Sequence, residues 1–341
     1  MSAATLEPQE PTGTDRPAAQ HDPDGRRVVG ATVERLWPGA SWTSEPLTDG
    51  MTNRNFKVTV TPPAGPQRMV VVQEQLPEPL ARGVGISREN QLELWPAMFE
   101  LGLAPELIAW LTDLGVSVTQ FVEGDRLTDA PDRAAGIRLT AQALRQLHDH
   151  TVGTDIEGLV SDPFQGVRWL AERVAASSPE RLERYDWAMD LLDRLESARG
   201  PYERCLAHTD PTQVNIFVLP GGDRVQLIDW EYAGAGDRYM DVAHFAARFG
   251  LDSAEEHELL QAYEGRVDER HLAIIRIYRF VGMLREALWS ECAVDLEFLE
   301  FDHTEYTAEC MRDMRATVSS AEFADALDVL ERTTGTARAD A

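Results

Sequence analysis

The sequence predicts a two-lobe α+β fold, with a small antiparallel sheet followed by a larger, mostly helical lobe. Three observations predict it. Short apolar runs broken by Gly/Pro turns occupy residues 42–121, whereas helical periodicity dominates from Arg133 onward. At 341 residues the chain is long enough to bury more than one core. A two-strand hairpin rich in acids then stands alone among the helices, between Cys205 and Asp241.

Taken in order, residues 1–27 are rich in Pro, Ala, Thr, Gln and Asp without periodicity and read as a disordered tail. Residues 28–36 read as a short helix stopped by Pro38-Gly39. Strands are expected at 42–47, 56–60 and 69–75, a helix from Ser87, and two further strands at 106–110 and 116–121. The chain then leaves the first lobe (28–122) for the second (123–335). Asp132 caps a helix over 133–148, with Ile137, Leu144 and Leu147 at helical spacing. Further helices are expected at 163–175, 179–198, 242–249, 253–264, 269–291, 304–318 and 321–332. His148, at the end of its helix, reads as a packed structural histidine.

The densest chemistry is in the hairpin. His208-x-Asp210 is followed five residues later by Asn215; apolar runs flank a Gly221-Gly222-Asp223 turn, and the second run ends on Asp229-Trp230-Glu231. A tight hairpin brings Asp210, Asn215 and Asp229 to one end. Phosphoryl transfer needs an Asp to orient a hydroxyl and take its proton, with an Asn and a second Asp for Mg²⁺. The pattern His-x-Asp-x4-Asn followed by Asp-x-Glu resembles the small-molecule kinases of the aminoglycoside phosphotransferase and choline/ethanolamine kinase superfamily. That resemblance implies a protein-kinase-like fold, ATP as phosphoryl donor and Mg²⁺ as the metal. It implies Asp210 as the catalytic acid–base group and His208 as its neighbour in the catalytic loop, more a buttress than a proton carrier. Asn215 and Asp229 become the metal ligands, and Glu231 a group that orients the acceptor or a second metal.

Two more stretches carry the resemblance. The loop Asp49-Gly50-Met51-Thr52-Asn53-Arg54-Asn55-Phe56 is similar to the family's Gly-x-(Thr/Ser)-Asn loop over the nucleotide phosphates. Gly50 allows close approach, and Thr52, Asn53 and Asn55 supply donors. The family's strand cation is absent: Gln73 stands on the third strand, and Gln91 occupies the position of its Glu partner. Lys57, Arg54, Arg82 and Arg88 are the candidate replacements. Gln120 and Val122 sit where the family holds adenine through backbone groups. In the C-terminal part, Glu286, Trp289 and His303 fall where choline kinases build an aromatic cage, and Tyr232 matches a further member. Asp241 is placed on the acceptor side with them. Glu286 and His303 accept hydrogen bonds, which suits an ammonium carrying N–H groups. The implied acceptor is ethanolamine, choline or a related amine-bearing hydroxyl compound. An antibiotic phosphotransferase with a broad acidic cleft and a nucleotide-binding pseudokinase are the alternatives.

Composition narrows the partners. A formal net charge of -26 argues against nonspecific nucleic-acid or anionic-membrane binding. No apolar run approaches 18 residues, and the N-terminus lacks an apolar signal core. Three cysteines without metal-ligand spacing fit reduced thiols, so a cytoplasmic location is expected. Lys57 is the sole lysine, which leaves arginine as the general source of positive charge.

Overall fold

A computed structural model describes residues 25–47, 51–294 and 301–339. The expected tail up to residue 24, and Gly50 of the phosphate loop, lie outside the described residues. A first helix, α1 (Arg26–Leu36), begins two residues earlier than its sequence pattern suggests. It lies on a five-stranded antiparallel sheet of order β1-β2-β3-β5-β4. The strands are β1 (Ser41–Leu47), β2 (Arg54–Thr61), β3 (Arg68–Glu74), β4 (Leu107–Leu111) and β5 (Val116–Gln120). Alternation decides which face is covered. Phe56, Val58 and Val60 on β2, Val70 and Val72 on β3, and Val116 and Val118 on β5 bury against Val29 and Val33 of α1. Lys57, Val71 and Gln73 therefore occupy the opposite face.

Between β3 and β4 run α2 (Glu78–Gly83) and α3 (Arg88–Glu100), the latter capped by Ser87. Although α3 lies between two strands of the sheet in sequence, its Leu94, Trp95 and Met98 join the larger core of the second lobe. That core also takes in α4 (Arg133–His148), which follows the two-residue strand β6 (Asp125–Arg126) and is capped by Asp132. Gly124, at the crossing, passes so near the hairpin that a Cβ would sit 2.5 Å from the Val218 carbonyl oxygen.

After α5 (Pro163–Ser177), the helix expected over 179–198 is interrupted. It forms α6 (Pro179–Glu183) and α7 (Asp186–Arg199), because Tyr185 turns into the core and donates to Glu291 Oε1 at 3.0 Å. β7 (Cys205–Ala207) pairs with β10 (Gly234–Gly236), and the hairpin β8 (Ile216–Val218)/β9 (Val225–Leu227) pairs with β6. Then come α8 (Arg238–Arg248), α9 (Ser253–Glu264), α10 (Glu269–Ala293), α11 (His303–Val318) and α12 (Ala321–Ala339). α8 starts four residues before its apolar pattern because Asp237 caps it. α10 is apolar on nearly every side and is packed by α5, α8, α11 and α12, which makes it the axis of the second lobe.

Candidate functional site

The site is built on the hairpin. Trp230 is fully buried beneath it, its indole N–H donating to Leu227 O at 2.9 Å and its ring 4.4 Å from that of His208. Both nitrogens of His208 serve the backbone: Nε2 donates to Ile228 O at 3.0 Å, and Nδ1 accepts the Asp210 N–H at 3.2 Å. Accepting at Nδ1 takes the neutral ring, which burial also favours by lowering its pKa, and the ring braces the loop without bonding the Asp210 carboxylate.

Asp241 is repositioned by the structure. Rather than walling the acceptor, its fully buried carboxylate accepts the His208 N–H (2.7 Å), the Thr209 N–H (2.8 Å) and His148 Nε2 (3.0 Å). Burial alone would raise its pKa, yet the His148 contact and these donors bring it below the ordinary carboxylate value. His148 completes the brace through Tyr263, whose hydroxyl lies 2.6 Å from its Nδ1. On the other side, Arg285 Nη1 donates to Thr209 O at 2.7 Å. The Thr209 backbone is thus clamped at both its N–H and its carbonyl. The clamp holds strain: Thr209 (φ 75°) and Asp229 (φ 66°) are the two non-glycine residues with positive φ among those described.

Within this loop the carboxylate of Asp210 is held at both oxygens. Asn215 Nδ2 donates to Oδ2 at 3.0 Å, and His244 Nε2 lies 3.1 Å from Oδ1. The Asn215 carbonyl accepts the Ile228 N–H (2.9 Å), which locks Asp229 at the end of the hairpin beside Asp210. Asp229 Oδ1 and Glu231 Oε1 are sealed from solvent with no partner among the described residues. Burial, then the neighbouring Glu231 and Asp210, push the pKa of Asp229 well up, with Arg88 opposing. Orphaned, crowded carboxylate oxygens beside an Asn amide are the donor set a hard divalent cation takes, so Asn215 and Asp229 fit a Mg²⁺-type ion.

The phosphate side departs from expectation. Asn53 is buried and its amide is bonded within the protein: Nδ2 donates to Glu231 Oε2 (2.7 Å), and Oδ1 accepts from Leu76 N and Arg88 Nη2. It ties the loop down, and its side chain is not free for a phosphate. Glu231 is likewise tied to the first lobe and the following helix, through Asn53 and through Arg88 Nη1 at 2.9 Å. Gln73 and Gln91 do not bond to each other; Gln73 accepts from Ser117 Oγ, and Gln91 from Arg88. Lys57 pairs with Glu45 over the Phe121 ring, Arg54 with Glu74, and Arg82 with Glu78. Among these candidate cations, Arg88 bonds an acid of the site, Glu231. Asn55 lies in β2 opposite Gln73, Thr52 lines the cavity, and the Gln120 N–H is bonded to Glu106 O just before buried Val122.

Beside Asp210 opens a cavity of about 150 Å³, walled by Tyr232, Trp289, Glu286, Tyr306, Arg248 and Arg285. Trp289 Nε1 donates to Tyr232 Oη at 2.8 Å. Glu286 accepts from Arg285 (3.0 Å) and from Tyr306 Oη (2.8 Å). Burial would raise its pKa, but Arg285, His244 and Arg248 win and keep it ionised, down at about 2. His303 does not reach this wall. It is buried behind Trp289, ring centroids 5.6 Å apart, and bonds Ser290. The aromatic at the wall is instead Tyr306, one turn further along α11. A larger cavity of about 640 Å³ lies apart from Asp210 and Asp229, where α8 and α9 join near α10 and the α11–α12 junction. Its arginines 276 and 279 are already paired to Glu256.

Sequence reading missed His244, Arg248, Arg285 and Tyr306. Their signal was helical spacing: His244 and Arg248 lie three and seven residues after Asp241, Arg285 four before Trp289, and Tyr306 three after His303.

Fold and site together define a kinase-like phosphotransferase. A profile of the phosphotransferase enzyme family matches residues 43–275. The chain belongs to that family. A choline/ethanolamine kinase family protein from Mesorhizobium loti superposes with a TM-score of 0.69 at 18% identity, covering 89% of this chain and 99% of that one. Plasmodium vivax ethanolamine kinase gives 0.68 at 18% identity, with 87% of each chain covered. A spectinomycin phosphotransferase in complex with ADP and spectinomycin gives 0.58 at 12% identity, covering 85% of this chain and 98% of that one. At these identities the shared property is the fold. A LicA homolog from Metamycoplasma hominis is 26% identical over 90 residues, which span 26% of this chain and 36% of the relative's length.

Proposed function

We propose that the protein transfers the γ-phosphoryl group of ATP to a hydroxyl of a small amine-bearing metabolite. The observation that carries this reading is the placement of Asp210 at the mouth of a small cavity whose other walls include aromatic rings and an ionised Glu286, alongside Arg248 and Arg285. Aromatic faces and a carboxylate attract an ammonium, and Asp210 is held ready to orient the hydroxyl beside it and take its proton. The volume falls below the roughly 300–1,000 Å³ usual for drug-sized ligands, which favours a small metabolite over an antibiotic. The choline and ethanolamine kinases of the same fold support the choice of acceptor class.

Asn215 and Asp229 would hold Mg²⁺, which when bound neutralises charge on the phosphates. Arg88 takes the place of the strand cation. It braces Glu231 and the phosphate loop and brings one positive charge close to Asp229. His208, Asp241 and Arg285 hold the catalytic loop in its strained form. The test is Mg²⁺-dependent ADP release with choline, ethanolamine, 3-aminopropanol, spectinomycin and aminoglycosides. Turnover confined to the small amines supports the reading. Tight nucleotide binding without turnover of any of these acceptors, or of serine and homoserine, would sink it.

A further inference from the structure

Arg248 projects from the last turn of α8 into the acceptor cavity. Its guanidinium lies 5.8 Å from the centre of the Tyr306 ring and makes no hydrogen bond or ion pair with any described residue. The neighbouring guanidiniums are engaged: Arg285 with Thr209 O and Glu286, Arg88 with Asn53, Gln91 and Glu231. The Arg248 guanidinium is half-buried and its donors meet no acceptor among the described residues, and an oxyanion held in the cavity meets them best. Glu286 faces the same cavity but takes its hydrogen bonds from Arg285 and Tyr306, so the cavity wall presents a negative and a positive charge that do not form an ion pair with each other.

We infer that the acceptor is a zwitterion, a small hydroxy-amino acid whose ammonium faces Glu286 and the aromatic rings and whose carboxylate faces Arg248. This rests on the phosphoryl-transfer reading and narrows its substrate. The acceptor hydroxyl oxygen forms the new bond to the γ-phosphorus of ATP, the bond from that phosphorus to the β–γ bridging oxygen breaks, the hydroxyl proton passes to Asp210, and ADP leaves. Arg248 takes no part in these bond changes; it seats the carboxylate.

The experiment compares matched pairs on the full chain, serine with ethanolamine and homoserine with 3-aminopropanol. ADP release is measured, and binding is followed by calorimetry with a non-hydrolysable ATP analogue. The expected result is a preference of about tenfold or more for one of the carboxylate-bearing members. In Arg248→Gln that preference collapses through the acceptor KM, with the ATP KM unchanged, and Arg248→Lys keeps part of it. Turnover or binding that favours ethanolamine or 3-aminopropanol overturns the inference and leaves the phosphoryl-transfer reading intact. So does an Arg248→Gln effect confined to the ATP KM, which would place Arg248 on the transferred phosphoryl group instead. Calorimetry decides the matter even without turnover: equal affinity within each pair also overturns it.

Discussion

His244 Nε2 stands 3.1 Å from Asp210 Oδ1, opposite the Asn215 amide on Oδ2, so the Asp210 carboxylate is gripped from two elements, α8 and the hairpin loop. His244 is itself buried, and its Nδ1 has no partner among the described residues. Asp210→Asn keeps the shape and removes the proton acceptor, so kcat falls by about 10²–10⁴ with nucleotide affinity retained. His244→Ala frees one oxygen and lowers kcat about tenfold. His244→Asn, which still carries a donor, recovers part of that loss. Steady-state ADP release with titrated nucleotide binding checks all three.

The Asp241 brace makes a stability prediction. Asp241→Ala strands the buried His148 and two backbone N–H groups, which costs about 3–5 kcal/mol. The sign with pH follows from the lowered pKa of Asp241. Its ionised form stabilises the fold above the unfolded carboxylate value near 4, and that contribution fades as pH falls through the folded value. Urea denaturation of wild type and Asp241→Asn should therefore differ fully at pH 6–7 and converge below about pH 4. A gap that stays constant down to pH 3 contradicts this.

Arg88 is bonded to Glu231 and Asn53, and on the proposed reading it supplies the charge of the missing strand cation. Arg88→Gln raises the ATP KM about tenfold and leaves the acceptor KM near its original value. Adding Gln73→Lys with Gln91→Glu in the Arg88→Gln background restores ATP binding, because it moves the charge to the third strand. A triple variant that is folded by circular dichroism yet unrescued would assign Arg88 to bracing Glu231 alone.

Metal and nucleotide should bind as a unit. With an ATP analogue present, Mg²⁺ raises Tm by ordinary linkage, and EDTA reverses the rise. Asp229→Asn removes the Mg²⁺-dependent part, since it takes away the orphaned carboxylate oxygen. Thermal scans with and without Mg²⁺ measure both.

The elements with local causes were legible in the chain. The five strands, the capped helix at Asp132 and the hairpin came from alternation, capping and turn chemistry. The break at Tyr185 was not, because the helical pattern runs through it and only a partner at Glu291 draws the side chain inward. Asp241 and His303 were placed on the acceptor wall by position along the chain. The structure turns both away, one into the loop brace and one behind Trp289.

By itself the sequence determined which polar groups of the hairpin meet. Asp210, Asn215 and Asp229 lie within twenty residues, and a tight turn and two short strands leave little freedom in how they meet. The charges around that chemistry were decided only by tertiary structure. Arg88 meets Glu231 across 143 residues, and Tyr306 meets Glu286 across 20. Arg248 stands against both only because α8, α10 and α11 pack together. Which faces of those helices look into one cavity depends on how their apolar stripes fill a shared core, a property no single stretch of chain contains.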